Sequence, residues 1–334
     1  MKTLVTGATG FVGNYLIEEL LKHNYKVTCL VRKEIKLNNQ DKVNLVISDI
    51  TNKRGVDEAV KGKDIVFHLV GIGNISALSR NSYEKFREIN VEGTRNVLDA
   101  CEKYKVKKIV YLSSTAAMGL IKKPIINEND ICNPKTPYQK SKYESEQLIK
   151  EYIQRYNLPV IILRPTMIYG PRMKHGQILK IYKIMKRGFF PFVDGGNATI
   201  PAVHVKDVVN AIVAAAKNGR VGETYILAGD DNKNLREIVS IIQIKGNLKV
   251  VKINLPKSFL KIPVFILQNL SLIININPPM TLQRLNSFTF NRVFDISKAK
   301  KELKWEPKIG IEQGLEETVN YFMENEKQHK VNKS

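Results

Sequence analysis

An α/β fold, with a doubly wound parallel sheet and a smaller, mostly helical C-terminal lobe, is predicted by three observations. Short β-branched runs alternate with longer segments of helical period through the first half of the chain, the βαβ rhythm of a parallel sheet covered on both faces. A glycine-rich turn lies directly between the first run and the first helical segment. Near residue 165 the rhythm changes, and helical segments dominate from there on.

The expected strands are residues 3–6, 26–31, 43–47, 65–69, 109–112 and 160–163, because each is a short β-branched or aromatic run. Helices are expected at 13–23, 83–104 and 138–156, each long enough to cross back over a sheet. Beyond residue 165, helices are expected at 177–187, 205–217, 235–244, 258–274, 297–303 and 311–325, with short strands at 224–227 and 249–253. Glycine and proline at 188–191, 195–196 and 278–279 mark loops. The first domain therefore covers 1–165, with segments around 200–230 returning to it. A second lobe covers most of 166–326, and 327–334 is a frayed polar tail.

Composition narrows the function. The chain has 334 residues, of which 43% are hydrophobic, enough to bury a core and to exclude disorder. Lys and Arg exceed Asp and Glu by 53 to 32, a net charge of +21. Such a surplus suggests nucleic acid, an anionic membrane surface or an acidic small molecule. No nucleic-acid motif accompanies it, so no nucleic-acid partner is expected and most of the lysines are read as solvated faces. Cys29, Cys101 and Cys132 form no CxxC pair and no Cys/His cluster, which argues against a disulfide scaffold and a metal site. The N-terminus has no signal-peptide core, so a cytoplasmic location is expected. Residues 259–276 form the most apolar stretch, but Lys261, Pro263, Gln268, Asn269 and Asn275 interrupt it, and it falls short of the ~20 residues of a spanning helix. Residues 258–274 are read as an ordinary buried helix, with weak membrane-surface contact, helped by nearby lysines, as the alternative.

The glycine-rich turn, Gly7-Ala8-Thr9-Gly10-Phe11-Val12-Gly13, carries the first chemistry. A dinucleotide site needs one glycine for a tight turn, one for close approach to a pyrophosphate and one for helix–sheet packing. The pyrophosphate then meets the free N–H groups of the helix start. At the end of the second strand an acidic residue would bind a ribose 2′-OH, whereas a basic one accommodates a 2′-phosphate. Here Arg32 and Lys33 stand at that place, which favours NADP(H) over NAD(H). After the third strand, Asp49 is read either as an acceptor for the adenine amino group, with Ile50 packed on the ring, or as a turn or cap. His68 is read as a packed structural histidine.

Tyr138 and Lys142 are four residues apart in an expected helix, on one face and about a turn from each other. A free tyrosine has a pKa near ~10, and a neighbouring ammonium favours the phenolate that a general acid/base needs. Ser114 follows the fifth strand at its carboxyl end, where ligands bind in open α/β sheets, and can hydrogen-bond a substrate oxygen.

With these pieces the chain resembles the extended short-chain dehydrogenase/reductase superfamily, the NAD-dependent epimerase/dehydratase family, over nearly its whole length. Further matching segments are Asn90-Val91-Glu92-Gly93-Thr94, Arg164-Pro165-Thr166 with Tyr169-Gly170-Pro171-Arg172, and His204-Val205-Lys206-Asp207-Val208. Residues 255–280 and Arg292-Val293-Phe294-Asp295 are similar to dihydroflavonol-reductase-like and 3β-hydroxysteroid-dehydrogenase-like relatives. The resemblance implies a Rossmann-type domain in which Tyr138 is the acid/base, Lys142 also holds the nicotinamide ribose and Ser114 orients the carbonyl. It also implies that Pro165 to Ile168 line the nicotinamide and that Asn90 sits near the cofactor, a structural role being the alternative for each. His204 and Asp207 are read as a helix start and Trp305 as core. The family commonly forms homodimers.

Two chemistries follow. In one, NADPH reduces a ketone of an apolar or polycyclic substrate. In the other, bound NAD oxidises a nucleotide sugar that is then epimerised or dehydrated. Met167 stands where nucleotide-sugar enzymes typically carry Asn, and Arg32 replaces their acidic residue, so the reductase is the leading expectation. A non-catalytic cofactor-binding regulator is a third reading, against which the intact Tyr138, Lys142 and Ser114 argue. Arg172 and Arg292 are candidates to clamp a diphosphate.

Overall fold

A computed structural model describes residues 1–34, 40–73, 82–273, 281–282, 285 and 291–331. The first strands are β1 (Lys2–Thr6), β2 (Lys26–Val31), β3 (Asn44–Ile47), β4 (Ile65–His68) and β5 (Lys108–Leu112). The short β6 (Ile125–Ile126) precedes β7 (Val160–Pro165) and β8 (Met167–Tyr169), and β9 (Phe189–Val193), β10 (Ala202–His204) and β11 (Thr224–Leu227) follow. Seven of them form one sheet in the order β3-β2-β1-β4-β5-β7-β11, with every neighbouring pair parallel. All carboxyl ends therefore lie along one edge. The order reverses beside β1, where Thr6 pairs with Leu30 on one side and His68 on the other. A ligand crevice opens at such a switch point.

Strand residues alternate between the two faces. Val5 joins a core with Leu16, Leu20, Val208 and Ile212, contributed by α1 (Phe11–Lys22) and by a later helix at Val205–Asn218. Leu4 joins the opposite core with Val56, Val97, Leu98 and Ile149. Those residues come from α2 (Lys53–Val60), α4 (Gly93–Lys103) and α5 (Pro137–Tyr156), with the short α3 (Ser82–Phe86) just before α4. Because both faces are covered, the inner strands are buried almost throughout, as in β4, β5 and β7, while the edge strand β3 stays partly exposed.

Helix α2 has no clear signal in the sequence, because Lys53, Arg54, Asp57 and Glu58 hide the buried set Gly55, Val56, Ala59 and Val60. Asn52 caps it by accepting a hydrogen bond from the Gly55 N–H. The expected helix over 83–104 is divided by a wider π-type segment, Arg87–Glu92, a feature frequent at functional sites.

The later elements are α6 (Gln177–Met185), α7 (Val205–Asn218), α8 (Leu235–Lys245), β12 (Val251–Leu255), α9 (Lys257–Ile273), β13 (Val293–Phe294), and helices at Ser297–Leu303 and Ile311–Val331. A separate core of Ile178, Tyr182, Phe190, Phe192, Ile238 and Leu315 joins α6, β9, α8 and the C-terminal helix, whereas α7 and the helix Ser297–Leu303 pack on the sheet. Three expectations are corrected here. Residues 188–191 are not all loop, since β9 runs parallel to β12 in a two-stranded sheet, where Pro191 is tolerated on a free edge. The C-terminal helix extends past residue 326 to Val331, so most of the expected frayed tail is helical. Helix α9 is not buried: Phe259, Ile262, Phe265, Ile266, Leu267 and Leu270 are all exposed. The Pro278-Pro279 pair lies outside the described residues.

Candidate active site

The turn between β1 and α1 is built by its glycines. Gly7 has φ of +74°, and a Cβ there would lie 2.9 Å from the Leu69 carbonyl carbon. At Gly13 a Cβ would come within 2.2 Å of the Gly7 carbonyl oxygen and 2.9 Å of Ala8 Cα. Backbone cannot yield that distance, so both positions require glycine. Gly10 is the N-cap and supplies no side-chain hydrogen bond, and α1 carries no acidic residue in its first turn. The N–H groups of Phe11, Val12 and Gly13 have no hydrogen-bond partner among the described residues. A helix start with free donors and no competing carboxylate fits a pyrophosphate.

The crevice floor is fixed by His68. Its Nδ1 lies 2.7 Å from Thr6 Oγ1 and its Nε2 lies 2.9 Å from Thr94 Oγ1, tying β1, β4 and α4 together. Burial, reinforced by the nearby Lys142 charge, pushes the His68 pKa down to about 3. A neutral imidazole with both nitrogens engaged is structural, as its sequence context suggests.

Beyond β4 the chain passes through Gly71-Ile72-Gly73, and the chemistry gathers against this segment. A Cβ at Gly71 would sit 2.8 Å from Lys142 Nζ, and one at Gly73 would sit 3.4 Å from the Tyr138 ring. These glycines let the backbone approach the pair closely. Both side chains leave the first turns of α5, which Thr136 starts with a reciprocal capping box to Gln139 and Pro137 follows at the first helical position. Lys142 is buried and donates to the Leu112 carbonyl at 3.0 Å and to Tyr111 Oη at 3.5 Å. Burial lowers its pKa below the usual lysine range, and the charges of Tyr138 and Glu146 oppose that shift. The Tyr138 ring rests on Phe86, with centroids 5.8 Å apart. Ser114 accepts the Ala116 N–H at 3.1 Å, which leaves its hydroxyl proton available to a ligand oxygen.

Behind the serines lies a buried charge network that the sequence reading missed. Glu146, four residues after Lys142, accepts from Ser113 Oγ at 2.5 Å and from Arg164 Nη2 at 2.6 Å and Nε at 3.0 Å. Burial works against the Arg164 charge most strongly of any single cause, but the hydrogen bonds and the charge of Glu146 together overcome it and hold its pKa above the usual range. The network joins α5 to the ends of β5 and β7 and so fixes the backbone carrying Ser114 and Pro165. The i+4 step from Lys142 to Glu146 was the available signal.

Asn90 sits in the π-type segment. Its Oδ1 accepts the Ile72 N–H at 2.9 Å, and its Nδ2 donates to Ile72 O and to Ser141 Oγ. It braces the glycine segment against α5, which is the structural reading. Asp49 Oδ1 accepts from the Thr51 N–H and hydroxyl, the turn reading, while Ile50 is buried beneath Gly93. Arg32 and Lys33 are exposed directly after β2. Thr9 is exposed in the glycine turn, Phe11 packs edge-on to Tyr15, and Val12 is buried beneath the turn. Pro165 ends β7, and Ile168 lies half-buried in β8, paired with Val203. His204 accepts the Lys206 N–H as N-cap of α7. Asp207 accepts the Lys308 and Ile309 N–H groups, and Trp305 is buried with its Nε1 donating to Asp207 O, all as expected. Arg172 is taken up by Glu18 at 2.6 Å and by the Tyr15 ring, so it is held away from a diphosphate role. Among the described residues no His, Cys, Asp and Glu group could hold a metal ion, and no helix is long and apolar enough to cross a membrane.

Comparison with known proteins gives the same direction. The sequence model of the NAD-dependent epimerase/dehydratase family matches residues 3–228. The UDP-N-acetyl-alpha-D-glucosaminuronate decarboxylase of Bacillus cytotoxicus is 28% identical, covering 97% of this chain and 98% of that protein. The N-acetyl-alpha-D-glucosaminyl-diphospho-ditrans,octacis-undecaprenol 4-epimerase of Escherichia coli O157:H7 is also 28% identical, covering 95% of this chain and 94% of that protein. In fold the chain is similar to UDP-glucose 4-epimerase from Thermotoga maritima, solved with UDP-glucose, at a TM-score of 0.79 and 23% identity over 97% of this chain and 99% of that one. Nothing in these matches singles out the dihydroflavonol-reductase-like branch. The chain belongs to the NAD-dependent epimerase/dehydratase family, enzymes of the extended short-chain dehydrogenase/reductase type that work with a nicotinamide cofactor.

Proposed function

We propose that the chain oxidises a secondary hydroxyl of a sugar carried on a diphosphate and restores it after epimerisation or a related conversion of the ketone. This replaces reduction of an apolar ketone, the leading expectation from the sequence. The observation that carries it is the Tyr138–Lys142 pair closed against Gly71 and Gly73 at the carboxyl ends of β4 and β5. The substrate class is supported by the names of the two relatives, both of which act on diphosphate-linked sugars. A second support is Arg292, whose buried Nε has no hydrogen-bond partner and whose pKa is lowered by burial. A buried guanidinium N–H left unsatisfied calls for an acceptor, best an anionic oxygen.

The free N–H groups of Phe11, Val12 and Gly13 hold the pyrophosphate, and Gly7, Thr9 and Gly10 shape its turn. Pro165 and Ile168 line the nicotinamide end, and Lys142 reaches its ribose. Bound there, a nicotinamide dinucleotide supplies a two-electron acceptor that can return the electrons to the same carbon. Tyr138 Oη takes the hydroxyl proton as the carbon–hydrogen bond breaks and gives it back on restoration. Ser114 donates to the oxygen that becomes the carbonyl. Lys142, held by Leu112 O, keeps a positive charge beside Tyr138. Asn90 and the Glu146–Arg164 pair position these groups without touching the substrate.

The cofactor's ribose end is the finer part of the proposal. Arg32, exposed and without a partner among the described residues, supports a 2′-phosphate and hence NADP(H). A cycle that returns its electrons instead favours a cofactor that never leaves, and in this family that is NAD(H). Mass spectrometry of the purified protein separates the two: retained nicotinamide dinucleotide supports the closed cycle, and an empty site that prefers NADPH in titration returns the function to net reduction.

A further inference from the structure

Helix α9 turns its apolar side outward. Phe259 is 77% exposed and Ile262 is 71% exposed, and Phe265, Ile266, Leu267 and Leu270 continue the same surface. Only a narrow stripe faces inward, where Leu260 and Val264 pack on Val193 and Leu285. The preceding strand β12 adds exposed Val251 and Ile253 to the same region of the chain. A contiguous apolar surface of this kind marks an interaction site.

Charge identifies the occupant. From Ile238 through Phe294 the sequence contains no Asp or Glu, while it carries Lys245, Lys249, Lys252, Lys257, Lys261, Arg284 and Arg292. Lys245 is paired with Glu316 and Arg292 is half-buried, but Lys249, Lys252 and Lys261 are exposed in the same segment, with Lys252 Nζ also donating to Ser240 Oγ. An outward apolar helix set in a segment of one charge sign is the pattern of a helix lying in the headgroup region of an anionic bilayer. Its 17 residues include Pro263 and Lys261, so it lies on a membrane rather than crossing one. A surface shared with a second copy of this chain would set these lysines against each other, because the segment itself brings no carboxylate and the nearby Asp194 caps the Lys257 N–H at the start of α9.

We infer that α9, with β12, is a docking surface for anionic lipid bilayers. The inference does not depend on the substrate proposed above. Co-sedimentation of the full chain with phosphatidylglycerol/phosphatidylcholine vesicles, and with phosphatidylcholine alone, tests it. The expected result is pelleting with the anionic vesicles, weakened by salt, and little with the neutral ones. The double variant Phe259→Gln/Phe265→Gln should lower partitioning by about tenfold or more, and Lys249→Gln/Lys252→Gln by a smaller factor with a weaker salt dependence. Cofactor binding and unfolding midpoint, unchanged in both variants, show that the fold is kept. Failure to pellet at low salt, or pelleting that neither variant alters, overturns the inference. So does sedimentation velocity showing a dimer that the phenylalanine variant dissociates, which would assign the face to a second copy.

Discussion

Replacing Glu146 by alanine removes the carboxylate that hydrogen-bonds Arg164, and both residues are almost wholly buried, at 0% and 2% exposure. Arg164 Nη1 already lacks a hydrogen-bond partner, so the variant leaves the guanidinium with only the weak Cys132 Sγ contact at 3.8 Å. Breaking a buried pair from one side costs about 3–5 kcal/mol. Specific unfolding entropies imply roughly 0.7 kcal/mol/K for a chain of this length, so the melting temperature should fall by about 4–7 °C. Urea and thermal unfolding, each followed by circular dichroism and tryptophan fluorescence, measure this directly. The double variant Glu146→Leu/Arg164→Met should recover most of the loss, because an apolar pair of similar volume removes the stranded charge. It should recover stability but not turnover, since Ser113 also loses its partner next to Ser114. A Glu146→Ala protein within about 1 kcal/mol of wild type, or a double variant no more stable than the single one, would refute the network's role.

Other outcomes follow from the same geometry. Gly13→Ala places a Cβ against two backbone groups and should abolish cofactor binding, read by fluorescence titration, while Gly310→Ala, where nothing lies within 4 Å and φ is not positive, leaves binding intact. Acid should destabilise the fold through His68 and His204, whose burial lowers their pKa values to about 3 and about 4. The unfolded chain takes up those protons below about pH 6.5 and the folded chain does not, so stability declines as pH falls from 6.5 toward 4, by roughly 1.4 kcal/mol per pH unit for each histidine. Denaturant titrations at several pH values check this, and a flat profile would contradict it. Arg32→Ala should lower the preference for NADP⁺ over NAD⁺ about tenfold or more if the guanidinium meets a 2′-phosphate; an unchanged affinity ratio removes Arg32 from that role.

The sheet was legible because a doubly covered parallel strand has only apolar neighbours, and β2 at Lys26–Val31 follows its sequence signal at both ends. Helix α2 was not, since its charged first turn masks a buried face of four small residues. The division of residues 83–104 was equally hidden, because the π-type segment depends on Asn90 reaching Ile72 and Ser141 from a distance in sequence. In the site, Tyr138, Lys142 and the glycine turn announce themselves by local spacing. Gly71 and Gly73 do not, because what they pack against is a helix some seventy residues later. Helix α9 defeats the same reasoning: apolar composition predicts burial, but nothing local reveals that, among the described residues, the inward stripe of this helix is Leu260, Val264, Gln268 and Ser271.

The central claim is a closed oxidation and restoration cycle with Tyr138 as the proton carrier. Proton NMR of UDP-glucose and UDP-N-acetylglucosamine incubated with the protein and a trace of NAD⁺ follows it without coupling enzymes. The account predicts that the epimer of at least one sugar accumulates with no net change in cofactor, and that Tyr138→Phe slows this by about 10²–10⁴-fold while still binding the cofactor. Full-rate conversion by Tyr138→Phe, or conversion that consumes NADPH mole for mole, would contradict it.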